Sequence, residues 1–166
     1  RTFNSAMTAI TEIEDVMKSD IQFIWQTGKY YSASIQEQLK GKEIPNLKVL
    51  DFISDMGAAY RAADLVISRA GASSISEFCL IGKPVILVPS PNVAEDHQTK
   101  NAMALVNKDA AVYVKDCEAP SLLIDKAISI AGDENKLNSL SENIKKLGFK
   151  NSADVIADEV IKLARR

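Results

Sequence analysis

The segment DLVISRAGASSISE at residues 64–77 decides the fold. It starts with an apolar run of strand length, passes through a turn of small residues, and continues with helical spacing of apolar residues to Ile81. A strand that leads through a short turn into a helix is the repeating unit of a parallel α/β sheet. We therefore expect a strand at residues 65–68 and a helix from about 74 to 81.

The same alternation of strand and helix extends outward over residues 3–114. Strands separated by helical crossovers cannot form hairpins, so the sheet should be mainly parallel. The predicted class is α/β: a Rossmann-like, mainly parallel sheet with helices on both faces and a helical C-terminus. The other predicted strands are residues 21–25, 47–52, 85–88 and 111–114, and the other predicted helices are residues 3–17, 31–39, 56–62 and 98–107, followed by 120–131, 134–147 and 152–164, which should close the domain.

Composition restricts the class of protein further. The 166 residues are 46% hydrophobic and 25% charged, which is typical of one globular domain with a sizeable core. The net charge is −2 and the basic residues are scattered, so no nucleic-acid partner is expected. No apolar run approaches the roughly 20 residues that span a bilayer. Cys79 and Cys117 lie in apolar contexts without C-x-x-C spacing, which predicts two buried thiols in a reducing cytosol.

The first predicted helix indicates what should come before it. A doubly wound fold normally begins with a strand whose turn binds phosphate, whereas this chain opens on a helix of the kind that follows such a turn. We therefore expect a strand and a glycine-rich turn to precede Arg1. Residues 1–166 would then form a single domain of a longer protein.

The turn after the first quoted strand is the strongest candidate binding site. Ligands of open α/β sheets sit beyond the carboxyl ends of strands, where the N–H groups and dipole of the next helix attract anions. Gly71 and Ala72 would let the backbone approach a diphosphate, and the hydroxyls of Ser73 and Ser74 would add hydrogen bonds. The alternative is structural, because Ser74 and Glu77 also have the spacing of a capping box that satisfies the helix's own donors.

A second polar group follows the next predicted strand. His97 stands in EDHQTKN at residues 95–101, where it could act as a base or occupy the start of a helix. Gln98 and Asn101 are three residues apart, so they would share one helical face and could recognise sugar hydroxyls. The sequence has no cluster of metal ligands, no Asp-x-Asp pair and no G-x-x-x-x-G-K-[ST] loop. We expect neither a metal nor a cofactor, so charge neutralisation would fall to helix dipoles and Arg69.

A series of short motifs makes the chain similar to a known family. The motifs are DFISDM at residues 51–56, ADLVISRAGA at 63–72, SE at 76–77, GKP at 82–84, VP at 88–89 and DHQTKNA at 96–102. In order and spacing they resemble the C-terminal domain of the MurG family, the peptidoglycan transferases that move N-acetylglucosamine from its UDP donor to undecaprenyl-linked muramoyl-pentapeptide. The likeness runs over nearly the whole chain.

The resemblance implies a GT-B glycosyltransferase of two Rossmann-like domains that inverts the sugar anomer. This chain would be the domain that binds UDP-N-acetylglucosamine, and the family's glycine-rich turn would fall just before Arg1. The acceptor pocket, the membrane-facing patch and the general base would lie in an N-terminal domain absent from this chain. The whole enzyme would be cytoplasmic and peripheral on the inner face of the bacterial plasma membrane, with a lipid-linked acceptor, and the isolated chain would be inactive.

The resemblance also implies donor-binding positions. The backbone of Ile53 would face uracil, Glu77 would bind the ribose hydroxyls, and the turn with Arg69 would hold the nucleotide and diphosphate. A further polar group would surround the N-acetylglucosamine. No residue is assigned as the catalyst, and His97 is the one candidate. The full set is Ile53, Arg69, Gly71, Ala72, Ser73, Ser74, Glu77, His97, Gln98 and Asn101.

Two other functions stay open at this point. A related glycolipid transferase, such as a diacylglycerol glycosyltransferase, would share the donor fold and differ in its acceptor. A nucleotide-sugar-binding subunit would be inactive until a separate acceptor-binding protein docks on it. A dinucleotide oxidoreductase is disfavoured, because the chain lacks a G-x-G-x-x-G turn followed by an acidic residue about 20 positions on.

Overall fold

The computed structural model describes residues 4, 6–7, 20–93 and 96–165. Asn4, Ala6 and Met7 are helical, and the rest of the helix predicted at 3–17 lies outside the described residues. A 3-10 turn at Asp116–Glu118 leads into the C-terminal helices. The strands are β1 (Phe23–Gln26), β2 (Leu47–Leu50), β3 (Val66–Ser68), β4 (Val85–Leu87) and β5 (Val112–Tyr113), and the helices are α1 (Lys29–Leu39), α2 (Met56–Ala62), α3 (Ala72–Ile81), α4 (His97–Val106), α5 (Ala119–Ala131), α6 (Glu134–Lys145) and α7 (Ser152–Ala164).

All strand pairs are parallel, as the crossovers predict. β1 pairs with β2, and β4 lies between β3 and β5. The strands form two sheets, because β1 and β3 are not paired in the described part of the chain. Residues of both strands line the gap between them.

Strand β4 explains why helices cover both faces of its sheet. Its three residues are all buried, and their side chains point alternately to opposite faces. Ile86 packs in one apolar cluster with Leu123 of α5, whereas Leu87 packs in the other with Phe78 of α3 and Leu105 of α4. A parallel strand buried on both faces has a continuous apolar sequence, which is the pattern of residues 85–88.

The C-terminal helices differ in how many of their residues are buried. Helix α5 buries five residues and α6 buries Leu140 and Ile144, so both close the domain. Helix α7 has no buried residue, and Ile156 and Leu163 are more than 60% exposed. The prediction that all three helices close the domain is wrong for α7. An amphipathic pattern indicates which face can be buried but does not supply the surface that buries it.

The two cysteines also differ from expectation. Cys79 is buried in the cluster of α3, and burial raises the pKa of its thiol. Cys117 lies in the 3-10 turn and is exposed, so the prediction of a second buried thiol is wrong. In the same segment Asp116 and Ala119 are buried, whereas Cys117 and Glu118 are exposed. Local apolar context therefore did not identify which residues of this segment are buried.

Candidate functional site

The carboxyl ends of β3, β4 and β5 lie side by side. Ser68 pairs with Leu87, and Leu87 pairs with Tyr113. The main chain continues this register, since Val88 N donates to Ser68 O at 2.9 Å and Val114 N donates to Leu87 O at 3.0 Å. The loops after the three strands therefore leave from one edge of the sheet, which is where α/β proteins bind ligands.

The N-terminus of α3, which follows the turn after β3, has no side-chain cap. Gly71 is the N-cap residue and no side chain caps the helix; the first helical bond runs from Ile75 N to Gly71 O. The N–H groups of Ala72, Ser73 and Ser74 therefore have no acceptor within the helix. Together with the helix dipole, they form a site suited to an anion.

The capping-box alternative for Ser74 and Glu77 is wrong. The helix starts at Ala72, two residues earlier than predicted, so Ser74 is its third residue rather than its cap. The Glu77 carboxylate accepts a hydrogen bond from Tyr60 Oη at 3.2 Å instead. Burial, followed by the negative charge of Glu77 and this hydrogen bond, raises the pKa of Tyr60. Tyr60 also packs edge-on against the buried Phe78 ring at 5.5 Å.

Open space lies beside Gly71. Its φ of −70° and ψ of 143° form an extended conformation that any residue can adopt. A Cβ atom added there would meet no atom closer than Ser74 Oγ at 3.9 Å. Neither backbone strain nor packing within the protein requires glycine at this position, and a ligand could approach the helix end closely.

Arg69 joins the loops that follow three strands. Its Nη1 donates to Asp116 Oδ1 at 2.5 Å, and to the carbonyl oxygens of Val88 and Pro89 at 3.0 and 3.2 Å. The side chains of Arg69 and Asp116 are 30% and 11% exposed. The residue expected to neutralise a diphosphate is therefore already paired with a carboxylate.

The polar group at the start of α4 is also tied to the loops. Gln98 Oε1 accepts a hydrogen bond from Ser90 N at 2.8 Å, and Asn101 Nδ2 donates to Ala70 O at 3.2 Å. His97 is the first residue of the helix, the position that one of its two predicted roles requires. These contacts bring the predicted sugar-binding residues to the same edge as the turn before α3.

Ile53 follows β2, a strand of the two-stranded sheet. Its backbone N–H donates to Gln26 Oε1 at 2.8 Å, so a ligand would meet its carbonyl oxygen or displace Gln26. Ile53 and Arg69 both line the gap between β1 and β3.

Three residues of the site were not found from the sequence: Gln26, Tyr60 and Asp116. Asp116 follows the predicted strand at 111–114, and its position after a strand end was the available signal. Gln26 likewise ends β1. No local pattern indicates that Tyr60 reaches Glu77, because the two residues lie on different helices.

Two features are absent from the part of the chain that the structure describes. No three or more His, Cys, Asp or Glu side chains in it gather as metal ligands. None of its helices is both long and apolar enough to cross a bilayer.

The family model for the glycosyltransferase family 28 C-terminal domain matches residues 1–157. The chain belongs to this family. It is 62% identical over 166 residues to a UDP-N-acetylglucosamine--N-acetylmuramyl-(pentapeptide) pyrophosphoryl-undecaprenol N-acetylglucosamine transferase of Bacteroides thetaiotaomicron, covering 99% of this chain and 44% of that protein. It is 48% identical over 152 residues to the protein of the same name from Flavobacterium psychrophilum, covering 92% of this chain and 41% of the relative. This family 28 domain thus spans less than half the length of these relatives.

Solved structures show the same fold. The crystal structure of Acinetobacter baumannii MurG matches with a TM-score of 0.75 at 24% identity, over 95% of this chain and 49% of that one. A glycosyltransferase of kitacinnamycin matches with a TM-score of 0.66 at 20% identity, over 95% and 38%. The predicted Rossmann-like α/β class, in the form found in GT-B glycosyltransferases, is confirmed by these likenesses.

Proposed function

We propose that this chain is the donor-binding domain of an inverting transferase that adds N-acetylglucosamine from UDP-N-acetylglucosamine to undecaprenyl-diphospho-muramoylpentapeptide in peptidoglycan synthesis. The observation that carries the proposal is the 62% identity, over 99% of the chain, to a transferase whose name states this reaction. Residues 1–166 form one domain, and a separate N-terminal domain supplies the acceptor site. The whole protein works at the inner face of the plasma membrane, where its lipid-linked acceptor resides.

The uncapped start of α3 fits the chemistry of the leaving group. When the sugar is transferred, the bond between its anomeric carbon and the diphosphate oxygen breaks, and negative charge develops on UDP. Fixed N–H dipoles aimed at that charge stabilise the transition state more than they would in water. Ala72, Ser73 and Ser74 provide such dipoles, and the space beside Gly71 lets the diphosphate reach them.

The other donor contacts follow from the residues around this turn. Glu77 accepts hydrogen bonds from the ribose hydroxyls, and the Ile53 carbonyl oxygen accepts one from the N–H of uracil. The start of α4 faces the sugar, with His97, Gln98 and Asn101 around the N-acetylglucosamine. Arg69 acts on the nucleotide mainly through the loops that it joins, because its Nη1 atom is bound to Asp116 and two carbonyl oxygens.

Ligand-detected NMR of the chain with UDP-N-acetylglucosamine, UDP, NAD and ATP tests the choice of nucleotide. We expect weak binding of the two uridine compounds and weaker or no binding of the other two. Binding of NAD equal to or tighter than that of UDP would contradict the proposal, because it would indicate a dinucleotide site.

An assay of UDP release tests whether turnover requires the N-terminal domain in addition to this chain. General base catalysis needs a group within hydrogen-bond reach of the attacking hydroxyl, which domain closure would provide. We expect no turnover when the chain is mixed with donor and lipid-linked muramoyl acceptor, and turnover when a separately expressed N-terminal domain of a relative is added. Turnover by the chain alone that His97→Ala abolishes would identify His97 as the base.

A further inference from the structure

Asp116 is not among the predicted donor contacts, yet it is bound to one of them. Its Oδ1 accepts a hydrogen bond from Arg69 Nη1, and its side chain is only 11% exposed. A carboxylate so far from water is tolerated when a cation and hydrogen bonds compensate for lost solvation. The Arg69–Asp116 pair is therefore partly shielded from water, with Asp116 the more buried partner.

Arg69 connects this carboxylate to two other parts of the edge. It follows β3, while the carbonyl oxygens of Val88 and Pro89 that it binds follow β4, and Asp116 comes shortly after β5. Hydrogen bonds of the Arg69 guanidinium thus join the segments that follow three neighbouring strands. Because its donors are fixed in one plane, a guanidinium bound at several points has little freedom to move.

We propose that Asp116 is a positioning residue for the donor's diphosphate. By anchoring Arg69, it fixes the turn formed by Ala70 and Gly71 against the loop after β4, and so sets the direction of the N–H groups that begin α3. Asn101 holds the same turn from α4 through the Ala70 carbonyl oxygen. The inference rests on the proposed function, because it requires a diphosphate at this helix end.

The effect on binding follows from the geometry of hydrogen bonds. They weaken steeply as the donor angle departs from linear, so a small rotation of the turn costs affinity for the diphosphate. Uracil and ribose are expected to meet Ile53 and Glu77, neither of which forms a hydrogen bond or ion pair with Asp116 in the described part of the chain. Loss of Asp116 should therefore weaken UDP binding and leave uridine binding nearly intact.

Asp116→Asn tests this separation, with Asp125→Asn as the matched control. Asp125 is exposed on α5, and its substitution removes the same charge from the chain. NMR titrations with UDP and with uridine, together with thermal melting, measure each variant. For Asp116→Asn we expect UDP affinity to fall about tenfold while uridine affinity changes by less than about twofold. Asp125→Asn should change neither.

The ratio of UDP to uridine affinity distinguishes positioning from general stability, because partial unfolding lowers both affinities alike. If Asp116→Asn does not fold, Asp116→Glu keeps the charge while displacing it by one methylene, and should lower the same ratio by a smaller factor. An unchanged ratio in the variant that folds, with UDP still bound by the unsubstituted chain, overturns this inference alone. If the unsubstituted chain binds neither UDP nor uridine, the proposed function is wrong and the inference falls with it.

Discussion

The two sheets are built from similar short parallel strands but differ in their surroundings. β4 has a strand on each side and helices over both faces, and all three of its residues are buried. Among the described strands β1 pairs with β2 alone, and only Trp25 of its four residues is buried. The Trp25 Nε1 group is itself buried, and it has no hydrogen-bond acceptor among the described residues.

This difference indicates which part of the proposed donor site is held in place before a ligand binds. The proposed diphosphate and sugar contacts lie on the three-stranded sheet, and Arg69, Gln98 and Asn101 join their loops. The proposed uracil contact at Ile53 follows the two-stranded sheet. Local stability in proteins follows burial and contact density, so in the isolated chain we expect the proposed uracil end to open more readily than the proposed diphosphate end.

The largest expected effect comes from removing apolar side chains from each sheet. Leu87 is 0% exposed, and Leu87→Ala should lower the free energy of unfolding by about 2 to 5 kcal/mol, the cost of a large core cavity. Leu50 ends β2 and is half-buried, so Leu50→Ala should cost less. Urea unfolding of both variants measures the contrast. Equal losses would mean that the two sheets contribute alike.

The next effect concerns Glu77, whose bond to Tyr60 connects α3 to the helix that follows the two-stranded sheet. Glu77→Gln should weaken UDP binding by roughly 1.5 to 3 kcal/mol, because it removes a charged acceptor for ribose hydroxyls. Melting should change little, since Glu77 does not cap α3. Glu142→Gln, an exposed change on α6, serves as the control. Lost thermal stability with unchanged UDP affinity would assign Glu77 a structural role only.

A smaller effect is expected at Gly148, where the segment before α7 passes close to α3. A Cβ atom at Gly148 would lie 2.7 Å from the Cys79 carbonyl oxygen, so Gly148→Ala should destabilise the protein by about 1 to 3 kcal/mol. At Gly132 the nearest atom would be 3.5 Å away, and Gly132→Ala should be nearly neutral. Chemical unfolding of the pair measures the difference. Similar stabilities would show that the segment before α7 shifts freely away from α3.

The smallest effect is a dependence on alkaline pH. Burial raises the pKa of Cys79 above its unfolded value, so the folded state keeps a proton that the unfolded state loses first. Its contribution to stability is complete below about pH 8.5 and declines as pH rises through the folded pKa. Unfolding between pH 7 and 10 should show a shallower decline for Cys79→Ala than for the unsubstituted chain. Cys117→Ala should keep the original slope, and an equal slope in both variants would contradict this assignment.

Local pattern predicted much of the three-stranded sheet. The apolar run at residues 85–88 became β4, and the small-residue turn after Ser68 became the uncapped start of α3. Helix α7 also formed where helical spacing predicted it. These features follow from periodicity and turn chemistry, which act over a few residues.

Contacts between distant segments could not be predicted in this way. Arg69 meets Asp116 across 47 positions of the chain, and Gln98 uses its oxygen to hold Ser90 rather than facing solvent. The exposure of Cys117 and the uncovered face of α7 depend likewise on what packs nearby. Spacing places a side chain on a face of its own element, but the partner depends on how the elements assemble.

At Gly71, the N-cap of α3, the residue that favours stability differs from the residue that favours the proposed ligand binding. A serine or an aspartate in the N-cap position would accept a hydrogen bond from the first turn of α3 and stabilise the protein by a few tenths of a kcal/mol relative to glycine. The same side chain would occupy the donors that we propose for an incoming phosphate, and an aspartate would repel the phosphate as well. Selection for thermal stability alone would therefore replace the glycine and close the proposed site, so a stabilising design for this fold should leave residue 71 unchanged.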